Sequence, residues 1–293
     1  MIETARDAIY LWAIQLVPSL LPFMILTNLF TPFLYRYISI NSKKGAAFLY
    51  KVSGLSIQGC CILLIGQLCG YPLGAKMTGE AYKQGRITRS EANYLLTICN
   101  QSSPAFLEFY VGVFALNRQI PTPILFILFY FSTIITSFFT RKLYKPEFIP
   151  NNTESDTKNT SNFFEQLDKS ITDGCITILR IGGYILIFAV GSYFIQSLFS
   201  SLGGSIYFVT ALLEITNGLS VLKEHFYTHS WYSYFILTLT AFGGFCTMAQ
   251  IKGMLVGTSL SIKPYFIGKI IYTAVVIVIT LLFGEINRFF CFQ

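Results

Sequence analysis

Residues 66–79 read GQLCGYPLGAKMTG, and residues 240–253 read TAFGGFCTMAQIKG. Laid over one another on Gly70 and Gly244, the two runs share the pattern G-[Tyr/Phe]-x-x-x-Ala-[Lys/Gln]-[Met/Ile]-x-Gly, which sets Lys76 against Gln250. Each run sits in an apolar stretch and interrupts it with glycine and polar groups. In lipid, backbone freed by such an interruption survives only against protein or water. A pair of interrupted segments in the two halves of a membrane protein is the sequence pointer to a transport site at a repeat interface. Gly70, Pro72, Gly74 and Gly244 are therefore read as breaks, and Gln67, Lys76 and Gln250 as side chains that replace a solute's lost water contacts. The alternative for the amides is helix–helix glue.

The flanks of these runs fix the class. The chain has 293 residues, 53% hydrophobic and 12% charged, where a soluble domain carries about 25% charge. Residues 8–35, 52–75, 119–140 and 181–213 hold no charge, and each is long enough for the roughly 20 residues of a membrane helix. The ~10-residue alternation of a membrane β-barrel is absent. The expectation is an all-α polytopic membrane protein. Its apolar segments cover about 8–35, 47–70, 92–116, 120–140, 174–200, 204–222, 231–251 and 265–284. The polar run 150–162 (PNNTESDTKNTSN) divides them four and four. This gives two pseudo-repeats with broken or re-entrant helices: residues 1–149, a polar linker at 150–170, and residues 171–293.

The net charge of +7 fits basic cytoplasmic loops, and no aromatic-and-basic pattern points to nucleic acid. Simple alternation puts the loop of Lys76, Lys83, Arg86 and Arg89 on the same side as Arg141, Lys142 and Lys145, with both termini cytoplasmic. Arg36, Lys43 and Lys44 then fall on the wrong side, which a re-entrant first or second segment repairs. The first segment carries Pro18, Pro22 and Pro32. As a straight helix it would be about 42 Å long against a hydrocarbon core of about 30 Å. Pro18–Phe23 is thus expected to be a bent element or hairpin tip, with Pro22 as a hinge.

Two further runs interrupt apolar segments. In Cys99-Asn100-Gln101-Ser102-Ser103-Pro104, four polar side chains precede a proline that disfavours helix before it and starts one well. The N–H groups of that new half-helix make an anion site, with Asn100, Gln101, Ser102 and Ser103 as hydrogen-bonding partners. In Leu213-Glu214-Ile215-Thr216-Asn217-Gly218, Glu214 ends a long uncharged run, so it is a functional candidate. Thr216 and Asn217 accompany it, and Asn217-Gly218 reads as a helix end. Arg180 and Lys269 either snorkel to a surface or face an anionic solute. His225 and His229 lack the further ligands a metal site needs, and no HExxH, GxSxG or P-loop occurs. No catalytic residue, metal or cofactor is expected.

These residues resemble a family: sporulation integral membrane proteins of the YlbJ type, also called stage V sporulation proteins, which carry the gate or nucleoside-recognition domain. The matching runs are Pro18–Phe23, Gly70–Lys76, Gly85-Arg86-Ile87-Thr88, Cys99–Phe106, Leu213–Gly218 and Gly244-Phe245-Cys246 with Gln250. The resemblance implies a transporter of two related halves in a bacterial cell or forespore membrane. It also implies a small organic anion as solute, with dipicolinate first. Nucleoside or nucleobase transport, and a scaffold role in a sporulation complex, stay open, as does a homo-oligomer or a membrane partner.

Overall fold

The computed structural model describes residues 2–41, 53–147, 162–199 and 203–290, and among them every regular element is a helix. Helix α1 (Ile2–Leu11) passes through a π-wound turn, Trp12–Leu16, into α2 (Val17–Asn41). There follow α3 (Ile57–Cys69), α4 (Leu73–Lys83), α5 (Arg89–Ile98), the π-wound α6 (Phe106–Ala115) and α7 (Thr122–Tyr144). The later part of the chain runs α8 (Phe163–Leu198), α9 (Ser205–Leu213), α10 (Ile215–Phe226), α11 (Tyr232–Phe242), α12 (Gly244–Met254) and α13 (Lys263–Phe290). Four stretches, 122–144, 163–198, 232–254 and 263–282, are long and apolar enough to cross a membrane. The chain is an all-α membrane protein.

Two pairs of short helices fold back on themselves. At 1.5 Å per residue, α3, α4, α9 and α10 are each only about 14–20 Å long, roughly half of the hydrocarbon core. In the first pair the bend is at Gly70 (φ 75°). A Cβ added at Gly66 or at Gly74 would strike the Cys99 carbonyl, so bare glycine on both arms is what lets this pair close over the chain at Cys99. In the second pair the bend is at Glu214, whose backbone is extended, and Gly218 of α10 packs directly on Ala211 of α9. We call these the first and second hairpins.

The segments that follow each hairpin cross the molecule with a break in the middle. Helix α5 is capped by Thr88, whose hydroxyl accepts from the Glu91 N–H, and ends at Cys99; the chain re-enters helix at Pro104. Helix α11 ends at Gly243, and α12 starts at Gly244, both with φ of 81°. The two hairpins open toward opposite ends of the molecule. At one end Tyr82, at the base of the first hairpin, bonds Ser259 beyond α12 at 2.9 Å, and Thr88 donates to the Glu147 carbonyl beyond α7. At the other end Lys223, at the base of the second hairpin, donates to Asn117 at 3.0 Å, and Tyr232 donates to the Ala115 carbonyl.

Several expectations are corrected. Pro22 is no hinge: residues 17–41 are one helix, and the irregular geometry lies upstream, in the π-wound turn Trp12–Leu16. Gly74 and Gly218 lie within α4 and α10 rather than at breaks; each is a contact glycine. Residues 163–170, expected in the linker, are the first turns of α8. Lys43, Lys44 and most of the polar run 150–162 lie outside the described residues, as does the side chain of Arg36. Gly70 and Gly244 also hold different places in the element order. Gly70 bends a hairpin, and Gly244 interrupts a crossing helix.

Candidate functional site

Both hairpin tips and both breaks border one cavity of about 330 Å³. Its polar side comes from four places. Gly70 and Tyr71 stand at the first hairpin tip, and Glu214 with Thr216 at the second. Ser103 lines it from the first break, and Thr247 and Gln250 from α12. Its apolar side has two parts. Aromatic rings project from α6 (Phe106, Phe109, Tyr110, Phe114), and a purely aliphatic wall comes from the first segment and α8 (Leu16, Leu20, Ile181, Ile185). The volume lies at the low end of small-molecule sites, which are mostly apolar with a few placed polar groups.

Each tip satisfies its backbone differently. At the first, the Tyr71 N–H donates to the Gln101 carbonyl at 3.2 Å, so the hairpin leans on the first break. The Tyr71 hydroxyl lies beside Ser102 and Thr247. At the second, the Glu214 carboxylate, 2% exposed, caps α10. It accepts from the N–H groups of Thr216 (3.0 Å) and Asn217 (2.8 Å) and from the Thr216 hydroxyl (2.7 Å). A built-in anion thus sits where a free one would bind. At the first break Ser103 plays the same part without charge, its hydroxyl accepting from the Phe106 N–H at 3.2 Å. Helix α12 has no side-chain cap.

Of the eleven side chains expected at the site, Ser103, Glu214, Thr216 and Gln250 line the cavity. Asn100, Gln101 and Ser102 are buried but knit the break together. Asn100 donates to the Leu96 carbonyl, and Ser102 to the Thr240 carbonyl of α11. Asn217 contributes its backbone to the Glu214 cap. Gln67 donates to the Ile98 carbonyl, which fastens α3 to α5. Two expected cations lie elsewhere. Lys76 donates to Thr177 of α8 at 3.0 Å, and Arg180 is exposed on the outer face of α8. Sequence reasoning missed the aromatic lining, since Tyr71 and Tyr110 carry no signal that separates them from core residues. It also left Lys269 between snorkelling to a surface and facing an anionic solute, whereas this side chain is 1% exposed and does not line the cavity.

No family model matches the chain. It is similar to the sporulation integral membrane protein YlbJ of Bacillus subtilis (strain 168). The two are 24% identical over an alignment that covers 94% of this chain and 76% of that protein. This likeness covers most of both chains and supports a membrane role in sporulation. No solved structure matches the chain.

Proposed function

We propose that this chain is a membrane transporter that acts in sporulation and carries a small aromatic organic anion, dipicolinate first, by alternating access between two inverted halves. One observation carries the reading: two half-membrane hairpins, opening to opposite ends, meet two broken helices at a single cavity that is mostly apolar with a few placed polar groups. In element order each half runs long helix, hairpin, broken helix, long helix. The bend at Gly70 then answers the bend at Glu214, and the break after Cys99 answers the one at Gly243. Inverted repeats of this kind place solute sites at their interface, on discontinuous helices. The aliphatic wall of Leu16, Leu20, Ile181 and Ile185 offers no polar foothold, so the polar tips are free to slide along it and open to one side at a time.

Charge arithmetic favours an anion even though no Lys, Arg or His lines the cavity. The N-terminal ends of α6, α10 and α12 reach it at roughly +0.5 each, against the C-terminal ends of α3 and α9 at roughly −0.5 each, a sum of about +0.5. The Glu214 carboxylate, when ionised, outweighs that sum. The balance turns positive only when Glu214 is protonated, so dipicolinate is expected to travel with a proton. The absence of a lining cation is also the one observation favouring a neutral heteroaromatic solute of the nucleobase kind.

Orientation follows from the same frame. Lys83, Arg86, Arg89, Arg141, Lys142 and Lys145 gather at the end where the first hairpin opens. By the positive-inside bias that end is cytoplasmic. Trp12 donates to the Ile178 carbonyl while Gly174 meets Ile25, so the first segment runs antiparallel to α8. Both ends of the chain then lie on the extracytoplasmic side, opposite to the alternation of eight straight spans. The hairpins are the cause, because each leaves by the side it entered. Proteoliposomes with the purified protein should take up labelled dipicolinate, and excess nucleobase should not compete. Competition by nucleobase with no dipicolinate flux would transfer the proposal to the neutral solute.

A further inference from the structure

Lys269 takes no part in the cavity lining, yet it is the most buried cation among the described residues. Its ammonium donates to Gln101 Oε1 at 2.7 Å and to the Ala241 carbonyl at 3.2 Å. Gln101 belongs to the first break. Ala241 lies in the last turn of α11, where the break at Gly243 robs the final carbonyls of their helical partners. One side chain of α13 therefore joins both broken helices at their interruptions. Through the Gln101 carbonyl, which accepts from Tyr71, the first hairpin tip is tied in as well. The rings of Tyr272, Tyr265 and Tyr71 surround the ammonium at 5.2, 5.8 and 6.0 Å, within cation–π range. Among the described residues no carboxylate pairs with it.

A pocket bounded by unwound chain and the C-terminal end of a half-helix is where transporters with broken helices hold a coupling Na⁺. We propose that Lys269 is a resident cation. Its ammonium fills the junction between the two breaks in place of a transported Na⁺ and holds the breaks together, so the protein neither binds nor needs Na⁺ there. The coupling consequence rests on the transport reading; the occupancy of the junction does not.

The test uses the full chain purified in detergent, unfolded by heat in NaCl and in N-methyl-D-glucamine chloride at equal ionic strength. The wild type should show the same midpoint in both salts. Lys269→Ala, which vacates the ammonium, should lower the midpoint, and NaCl or methylammonium chloride should recover part of the loss while the bulky cation does not. Lys269→Met, filling the space without charge, should show the loss with no recovery. A wild type stabilised by Na⁺ over N-methyl-D-glucamine overturns the proposal, as does a Lys269→Ala loss that no small cation reverses. Should Lys269→Ala not survive purification, Lys269→Arg must retain more of the midpoint than Lys269→Met, and the opposite order overturns it. In proteoliposomes, wild-type dipicolinate uptake should be equal in the two salts and fall roughly tenfold or more in Lys269→Met, since charge-assisted bonds to both breaks are lost. If the wild type carries no solute at all, the transport reading fails while the unfolding midpoints still decide the lysine.

Discussion

The two hairpin tips face one another across the cavity but are built on different principles. The first is made of backbone: Gly70 turns in the left-handed region, Tyr71 follows, and the N–H of Tyr71 is satisfied only by the Gln101 carbonyl of a neighbouring segment. The second is made of a side chain. Glu214 caps its own helix through Thr216 and Asn217, and the tie to a neighbour is a side chain, the Tyr110 hydroxyl of α6, which donates to the Thr216 carbonyl at 2.6 Å. When the second tip moves, the Tyr110 hydroxyl is a rotor that can turn to a new partner, whereas the first tip cannot leave the break without stranding a backbone donor. On the transport reading the second hairpin is thus the better suited to open, and the first to hold the proposed site in shape.

The largest effect should come from the glycines on which the first hairpin closes. Gly74→Leu places a side chain where the Cys99 carbonyl stands, so a loss of about 3 kcal/mol or more is expected. Size-exclusion profiles of the solubilised protein should show aggregate in place of a single species. A monodisperse Gly74→Leu protein would break the claim that the first tip depends on its neighbour.

Next is the cap of the second tip. Glu214→Ala strands the Thr216 and Asn217 N–H groups and should cost about 2 kcal/mol. Ser103→Ala, at the uncharged cap of α6, should cost about 1 kcal/mol. Thermal midpoints rank the two, and equal shifts would mean that the charge at Glu214 adds nothing. Glu214→Gln keeps the shape and removes the charge, so it should raise dipicolinate uptake relative to a neutral solute. A fall in that ratio would contradict the charge balance drawn for the cavity.

Smaller effects sharpen the boundary of the site. Tyr71→Ala removes a lining ring and should weaken solute binding by roughly tenfold, measured by calorimetry with dipicolinate. Arg180→Ala, on the outer face of α8, should leave binding within about twofold, as surface changes away from a site do. A loss at Arg180 larger than that at Tyr71 would move the site to the other face of α8.

Much of this was legible in the sequence because interruptions of apolar runs are rare and costly in lipid. All four of the polar or glycine-rich runs singled out there stand at the cavity or at its breaks. The pairing of Gly70 with Gly244 was less well founded. Glycine marks a bend and an interruption alike, so matching letters joined a hairpin tip to a crossing helix. In the proposed repeat the counterpart of Gly70 in element order is Glu214, a charged residue that no alignment of side chains would set against a glycine. Asn100 and Gln101 were read as solute ligands because polar groups in an apolar run need partners. The partners turned out to be the break itself and Lys269, and nothing local distinguishes the two outcomes. Lys269 escaped because its partners lie far away in sequence, at Gln101 and Ala241.

The opposed entry of the two hairpins is the claim on which the site depends, and sided labelling reads it directly. In a version with its native cysteines replaced, single cysteines at Gln84 and at Thr228 mark the bases of the first and second hairpins. An impermeant maleimide should label Thr228→Cys in intact cells and Gln84→Cys only in inverted vesicles. Labelling of both from the same side would contradict the account.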